Sequence, residues 1–517
     1  MKRMSTIFAL AASAILLASC AEPQPGSSAE LGSSAELSIP AELRAIMEAN
    51  RAIALPPMHP DFDEIASGLL TPNLDSETDD RNRAFLRAGG WPRQPGANIN
   101  NDLDRAFSAE DAASETLLLF DLLRYGYAGY QYFGGDEVFI PMHDSILERL
   151  ALAGDEFTLR SYLHDFLEPA LRSAIADNHF WINDAIMGPP QYAMHMSCEY
   201  VLRREAGSRE GFALYVDGAA HRLVGATLRD GTPAQAVVPT STREGEFAHA
   251  FGLFARAGDP DAREIVALLE CARTGERHSR AVALAKLAGY SPQSHPGIET
   301  REEGGVPMVV SRHFGGGGHH GMRRLAFQMS GAEMREEPLV IIDVRGNEGG
   351  SLNMVGAWID HFFPESPNRE LSFVTYLLTT STMLEMRMFP RFHPNQFSRI
   401  DTPPGNGEGA ANENIVIVLT DNDVFSAGEY FVGLLRQFEN VIVVGANTHG
   451  AFVTSRLART RLPYSGFVVG LSSALNLRPD LSQFEGVGFL PDLWVPPGES
   501  LERVLAFIER YGLNSAR

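Results

Sequence analysis

Three short runs in the last third of the chain, residues 339–342 (Leu-Val-Ile-Ile), 415–419 (Ile-Val-Ile-Val-Leu) and 441–444 (Val-Ile-Val-Val), contain no polar residue at all. A strand with one wet face alternates apolar and polar side chains, and these do not. Each must therefore be covered on both faces, the condition of a parallel sheet with helices packed above and below it. Residues 304–517 are accordingly expected to form an α/β core. Upstream, residues 41–194 have helical spacing, clearest in Leu118, Leu119, Leu122 and Leu123 and again in Leu159, Leu163, Phe166 and Leu167. Residues 195–303 change texture to short β-prone pieces and then to a helix-like stretch over 262–288, and read as a small inserted mixed α/β module.

Residues 1–20 begin with Lys2-Arg3, continue with an apolar run over 7–17 and end in Leu-Ala-Ser-Cys. These are the zones of a secretory signal closing on a bacterial lipobox. Cys20 is expected to become the lipidated first residue of the mature chain, holding it on a bacterial membrane in the periplasm or at the cell surface. Residues 21–40, with a tandem Gly-Ser-Ser-Ala-Glu-Leu, have the composition of a flexible linker. A formal charge of −22 excludes a nucleic-acid partner, whose phosphates need clustered Lys and Arg. Cys198 and Cys271 are the only other cysteines, and no spacing suits a metal. Neither a metal nor a cofactor is expected.

The chemistry-bearing candidates lie where the apolar runs end. Ser426 follows the run at 415–419 and precedes a periodic stretch through Tyr430, Phe431, Leu434 and Leu435. As Ser-Ala-Gly-Glu it is a capping box that satisfies the first amides of a helix. It is equally a serine on a sharp strand-to-helix turn, presented beside helix amides that can bind an oxyanion. Both readings share one geometry. The run at 339–342 leads into Asp-Val-Arg-Gly-Asn-Glu-Gly-Gly, a turn in which Gly349 and Gly350 let amides approach a carbonyl closely and Asp343 and Arg345 can pair.

Together these segments resemble the tail-specific (C-terminal processing) proteases and the tricorn core serine peptidases. The resemblance rests on 341–350, 418–429, 443–450 and 485–492 in the family's order, with Ala-Ile-Ala-Asp-Asn-His-Phe-Trp-Ile at 174–182 similar to the family's upstream histidine element. It implies a crotonase-like ββα-type α/β core and hydrolysis of peptide bonds. The Ser–Lys branch places a lysine in Thr-x-Gly-Lys, 25 residues beyond the nucleophile, where this chain has Ala451 after Thr448-His449-Gly450. Apart from Lys2, Lys286 is the only lysine. The tricorn-type Ser-His-Glu branch is the better match, and it implies Ser426 as nucleophile, His179 as base and Glu485 as supporting carboxylate. The amides of Gly349 or Gly350 and Ala427 would receive the oxyanion, with His313 and His449 as reserve bases. The insert lacks the Gly-Leu-Gly-Phe loop of a PDZ domain. The expected function is thus a membrane-tethered extracytoplasmic serine peptidase acting on peptides or proteins. The alternative is a non-catalytic peptide- or lipid-binding lipoprotein on the same fold.

Overall fold

The computed structural model describes residues 39–70, 77, 80, 81 and 102–514, other than 155, 184, 206, 207, 209, 210, 288, 291–296, 316–319, 365–374, 379–398 and 402–411. The leader, Cys20 and the linker up to residue 38 lie outside the described residues. The chain enters through helix α1 (Ala41–Ala54), whose Leu43 and Met47 are buried. Helices α2 (Ala109–Gly126) and α3 (Gly135–Ala153) follow. Helix α2 starts at Ser108, whose side chain accepts the Asp111 amide at 3.1 Å, the bond an N-cap serine is selected for. After a helical stretch ending at Ala174 the backbone turns through Asp177, Asn178 and His179 into the short strand β1 (Trp181–Ile182).

The insert consists of two antiparallel sheets. Strands β2 (Tyr192–Met196), β5 (Val237–Ser241), β6 (Phe247–Arg256) and β9 (Ala285–Lys286) form one, in the order β9-β2-β6-β5. Strands β3 (Phe212–Val216), β4 (Ala219–Thr227), β7 (Glu264–Cys271) and β8 (Arg277–Ala283) form the other with Arg203–Arg204 at its edge. The helix-like reading of 262–288 is therefore corrected, since after a short 3-10 turn at Pro260–Arg263 the described residues form the paired strands β7, β8 and β9 with a turn over 272–276. Alanine and leucine suggested helix, but Ile265, Ala267 and Leu269 are the buried residues, a period of two. Pairing to a neighbour on each side outweighs an intrinsic preference that is small per residue.

The core starts with the hairpin β10 (Ile298–Glu303) and β11 (Val306–Ser311), crosses helix α4 (His320–Met334) to β12 (Leu339–Asp343), and helix α5 (Leu352–Phe362) follows. Strand β13 (Ile415–Thr420), helix α6 (Ala427–Leu435) and strand β14 (Val441–Gly445) continue it. A long hairpin, β15 (Thr454–Arg461) and β16 (Val468–Leu477), precedes β17 (Leu493–Trp494) and helix α7 (Ser500–Tyr511). The sheet order is β10-β11-β12-β13-β14-β17, parallel from β11 onward. Alternate residues serve opposite faces: Val340, Ile342, Val416 and Val418 pack with Phe327, Trp358 and Phe431 of α4, α5 and α6. Leu339, Ile341, Ile415 and Ile417 pack with Leu43 of α1 and Phe507 of α7. The uninterrupted apolar runs are buried on both faces, as their composition requires.

Two connections place the upstream segments on this core. Strand β1 pairs with β16, Ile182 opposite Val469, so the loop carrying His179 is laid beside the core. The α2 helix docks on the far end of the hairpin, where Glu115 accepts the Tyr464 and Ser465 amides at 2.8 Å. Within the core, the carboxylate of Asp343 at the end of β12 takes two arginines, Arg345 at 2.9 and 2.7 Å and Arg312 at 2.7 and 2.6 Å. Burial alone would raise the Asp343 pKa, but the two guanidiniums hold it at about 2. Asp343→Ala would leave both cations buried without their partner and should lower the unfolding free energy by about 3–5 kcal/mol in a denaturant titration. Because the folded pKa is depressed, the wild-type contribution is complete above about pH 4 and is lost as pH falls through about 2. A variant as stable as wild type at neutral pH would show that the cluster is dispensable.

Candidate active site

The loops after β12, β13 and β14 all leave the carboxyl ends of parallel strands, the edge where open α/β sheets gather their ligands. The first two loops are bonded to each other. Gly346 N donates to Asp421 Oδ1 at 2.9 Å and Phe425 N to the Asn347 carbonyl at 2.9 Å. A Cβ on Gly349 would lie 2.8 Å from both the Phe425 carbonyl oxygen and the Ser426 Cβ, so only glycine allows this approach.

Ser426 heads helix α6 with φ 54° and ψ −115°, and its side chain makes no capping hydrogen bond. A capping serine sits in the extended region and accepts an amide two or three residues on. Ser426 does neither. The glutamate half of the box is also engaged elsewhere: Glu429 accepts Thr448 Oγ1, Gly450 N and Ala451 N, each at 2.7 Å, with the Ser426 amide adding a weaker contribution. Burial pushes the Glu429 carboxyl up to about 7. Its role is to hold the loop after β14 against the start of α6. The strained serine instead lines a cavity of about 420 Å³, shared with His179, Gly350, Ala451 and Phe452.

His179 is buried, and neither ring nitrogen has a hydrogen-bond partner. Burial, and then the neighbouring His449, lower its pKa to about 3, so the ring is neutral near pH 7 with a lone pair available. It stacks at a tilt on Phe425, the residue before Ser426, with ring centroids 4.8 Å apart. Two buried carboxylates fix its backbone rather than its ring. Asp177 Oδ1 accepts the His179 amide at 2.8 Å, while its Oδ2 accepts Tyr127 Oη at 2.7 Å and Thr454 Oγ1 at 2.8 Å. Glu485 Oε1 accepts the Asn178 amide at 2.6 Å, and its Oε2 accepts Phe452 N and Val453 N at 2.7 and 2.8 Å. Burial raises the pKa of both acids, and the charge of Asp177 raises that of Glu485 further.

The other candidates separate. The Gly349 amide is committed to Asn347 Oδ1 at 2.8 Å, which removes it as an oxyanion donor. Gly350 bridges to Phe314 only through the Gly349 carbonyl and the Ser351 amide, so its own N–H is outside that pairing. Gly350 and Ala427 are left as the candidate donors. His313 is exposed, its Nδ1 lying 2.9 Å from the Gly349 carbonyl and 2.8 Å from Gly315 N, and it serves the turn. His449 is half-buried edge-on to Phe425 with its Nδ1 against Gln191 Nε2, and desolvation lowers its pKa to about 4. Neither lines the cavity. Lys286 is exposed on β9 opposite His195 and is also absent from the cavity wall. Asp177 was missed as a support, although an aspartate two residues before His179 has the spacing of a side chain that bonds its own backbone. No group of three or more His, Cys, Asp or Glu side chains suited to a metal occurs among the described residues.

The serine's backbone makes the two roles separable by stability. A true cap would lose about 1 kcal/mol on Ser426→Ala. Without a capping bond the expected loss in a thermal or denaturant melt is under about 0.5 kcal/mol. Ser426→Gly should be more stable than wild type by up to about 2 kcal/mol, because glycine relieves the left-handed strain. A loss of about 1 kcal/mol or more in Ser426→Ala, with Ser426→Gly a few tenths of a kcal/mol less stable than wild type, would restore the cap.

Residues 313–495, which hold the glycine turn, Ser426, His449 and Glu485, match the model of peptidase family S41. That segment is a peptidase family S41 domain, and through it the chain is a serine-type peptidase. Among solved structures, mature CPAF complexed with lactacystin is 13% identical, with 79% of this chain and 98% of that one covered at a TM-score of 0.37. The photosystem II D1 C-terminal processing protease is 13% identical over 76% and 97% of the two chains, TM-score 0.34. The tricorn protease is 13% identical over 78% and 37%, TM-score 0.30.

Proposed function

We propose that the protein hydrolyses peptide bonds with Ser426 as nucleophile and His179 as base, while tethered through Cys20 to a bacterial membrane on its extracytoplasmic side. The observation that carries the reading is the pairing, in one cavity, of a serine held at a left-handed φ with a neutral histidine whose ring nitrogens are uncommitted. Strained non-glycine backbone held in place by its surroundings is a mark of functional sites.

In this reading Ser426 Oγ attacks the scissile carbonyl carbon as its proton passes to a His179 ring nitrogen. The carbonyl oxygen becomes an oxyanion facing the Gly350 and Ala427 amides, at the positive end of α6. The protonated ring returns its proton to the departing amine, leaving an acyl-serine. Water, deprotonated by the same ring, completes hydrolysis. Glu485 and Asp177 act through the backbone: each holds one of the two consecutive amides that fix His179, and neither touches the reacting atoms. Ala451, where the Ser–Lys branch has its base, lies on the cavity wall with no group to offer, so the proton must go elsewhere. The alternative reading, a non-catalytic binding lipoprotein, predicts an unreactive serine.

The deciding experiment is fluorophosphonate labelling of residues 38–517. The wild type is expected to label, Ser426→Ala not at all, and His179→Ala about 10²- to 10⁴-fold more slowly. Since His179 stays neutral until about pH 3, the acid limb of the labelling rate should fall well below the usual histidine value near 6.5. Folded wild type that fails to label would establish the binding lipoprotein. For the tether, Cys20→Ser in the full chain should move the protein from the membrane fraction to the soluble fraction, and unchanged fractionation would refute lipidation at that residue.

A further inference from the structure

A histidine that serves as base must hold one ring nitrogen toward its serine, and a hydrogen bond to the other nitrogen commonly fixes that orientation. His179 has no such bond: among the described residues neither ring nitrogen has a partner. The two buried acids that hold its backbone are spent elsewhere. Asp177 accepts the His179 amide, Tyr127 Oη and Thr454 Oγ1, and Glu485 accepts three amides. The torsion that turns an imidazole is broad, so without a bond the plane of the ring must be set by what packs against it.

That neighbour is Phe425. Its ring centroid lies 4.8 Å from that of His179, with the planes at 55°. His449 meets the same phenyl in a T-shaped contact, with centroids 4.7 Å apart and planes at 72°. Both separations fall where aromatic pairs attract with a preferred geometry. The phenyl is itself anchored. The Phe425 amide donates to the Asn347 carbonyl and its carbonyl accepts the Gly428 amide, both at 2.9 Å. The His449 amide donates to the Val424 carbonyl at 2.9 Å, and its ring meets Gln191 Nε2. Phe425 is peptide-bonded to Ser426, so the surface on which the base rests and the nucleophile belong to one turn.

We propose that Phe425 is a positioning residue that sets the plane of the His179 ring relative to Ser426, by ring packing in place of a hydrogen-bonded carboxylate. The proposal deepens the peptidase reading and rests on it. Phe425 does not line the cavity and acts on the reaction only through His179. A side chain of similar volume without a flat face fills the same space but gives the imidazole no preferred tilt. The cost then falls on proton transfer rather than on binding, because a misoriented base leaves the cavity open to substrate.

The test follows fluorophosphonate labelling against probe concentration, which separates the limiting rate from the half-saturation of the probe. Phe425→Leu is expected to lower the limiting rate about 10-fold with the half-saturation unchanged, the order of one aromatic contact. Phe425→Tyr keeps the ring and should label like wild type. Phe425→Met is the second ring-less variant, and since Phe425 is half-buried neither it nor Phe425→Leu opens a large void. In a His179→Ala background the Leu substitution should change nothing further, because no ring is left to orient. A folded Phe425→Leu or Phe425→Met protein that labels at the wild-type rate would overturn the proposal. So would equal losses in the Tyr and Leu variants, or a loss that persists without His179, which would assign Phe425 to the serine's own turn. If the wild type does not label, the peptidase reading falls and takes the proposal with it. A wild type that labels while the ring-less variants match it removes the proposal alone.

Discussion

The hydrogen bonds of Glu485 hold the two parts of the candidate site together. One oxygen takes the Asn178 amide, from the loop beside the helical segment, and the other takes the Phe452 and Val453 amides, from the loop that leads into the β15–β16 hairpin. A buried acid that accepts three amides crosslinks backbone segments far apart in sequence, at separations where no local preference acts. The other ties of the His179 loop to the core are the two-residue strand β1, the bonds of Asp177, the Asn178 Nδ2 bond to the Gly450 carbonyl at 3.0 Å and the packing of His179 on Phe425. Glu429 does the same one loop over, joining the start of α6 to Thr448, Gly450 and Ala451. The cavity is thus walled by loops clamped by acids that sit at its back.

That arrangement has an electrostatic cost which the protein uses. Placing Asp177, Glu429 and Glu485 out of water raises each pKa, and the same desolvation lowers the pKa of His179 and His449. Dry surroundings keep the histidine neutral without any carboxylate against its ring. They also strengthen the N–H dipoles that would face a developing oxyanion. Strain is concentrated at the same place. Of the five non-glycine residues with positive φ among those described, Ser426 and Arg456 both line this cavity. Strained non-glycine backbone held in place by its surroundings is a mark of functional sites, and Ser426 is the candidate nucleophile.

The fold core was legible because its signal is local and strong. Runs such as Ile-Val-Ile-Val-Leu have no wet face to offer, and the structure divides them between two apolar layers. The insert was half legible. Its first strands alternate, but Glu264–Cys271 is rich in alanine and leucine, and only the neighbours β4 and β8 make it a strand. Asp343 and Arg345 are two residues apart and pair as spacing suggests, whereas the second arginine, Arg312, arrives from the end of another strand and could not be read from the turn.

At the site, sequence alone determined the residue types and their placement at strand ends: Ser426 before a helix, glycines where backbone must approach backbone, a histidine upstream and no lysine in the core. Tertiary structure decided what they do. It turned Ser426 out of capping geometry by packing Gly349 against its Cβ, committed the Gly349 amide to Asn347, withdrew His313 and His449 from the cavity and brought Arg456 into it. The physical reason is the range of the forces involved. Hydrophobic periodicity and turn chemistry act over a few residues and are written in order along the chain. Desolvation, a carboxylate's choice among amides and the φ of a single strand residue depend on neighbours that only the folded chain supplies.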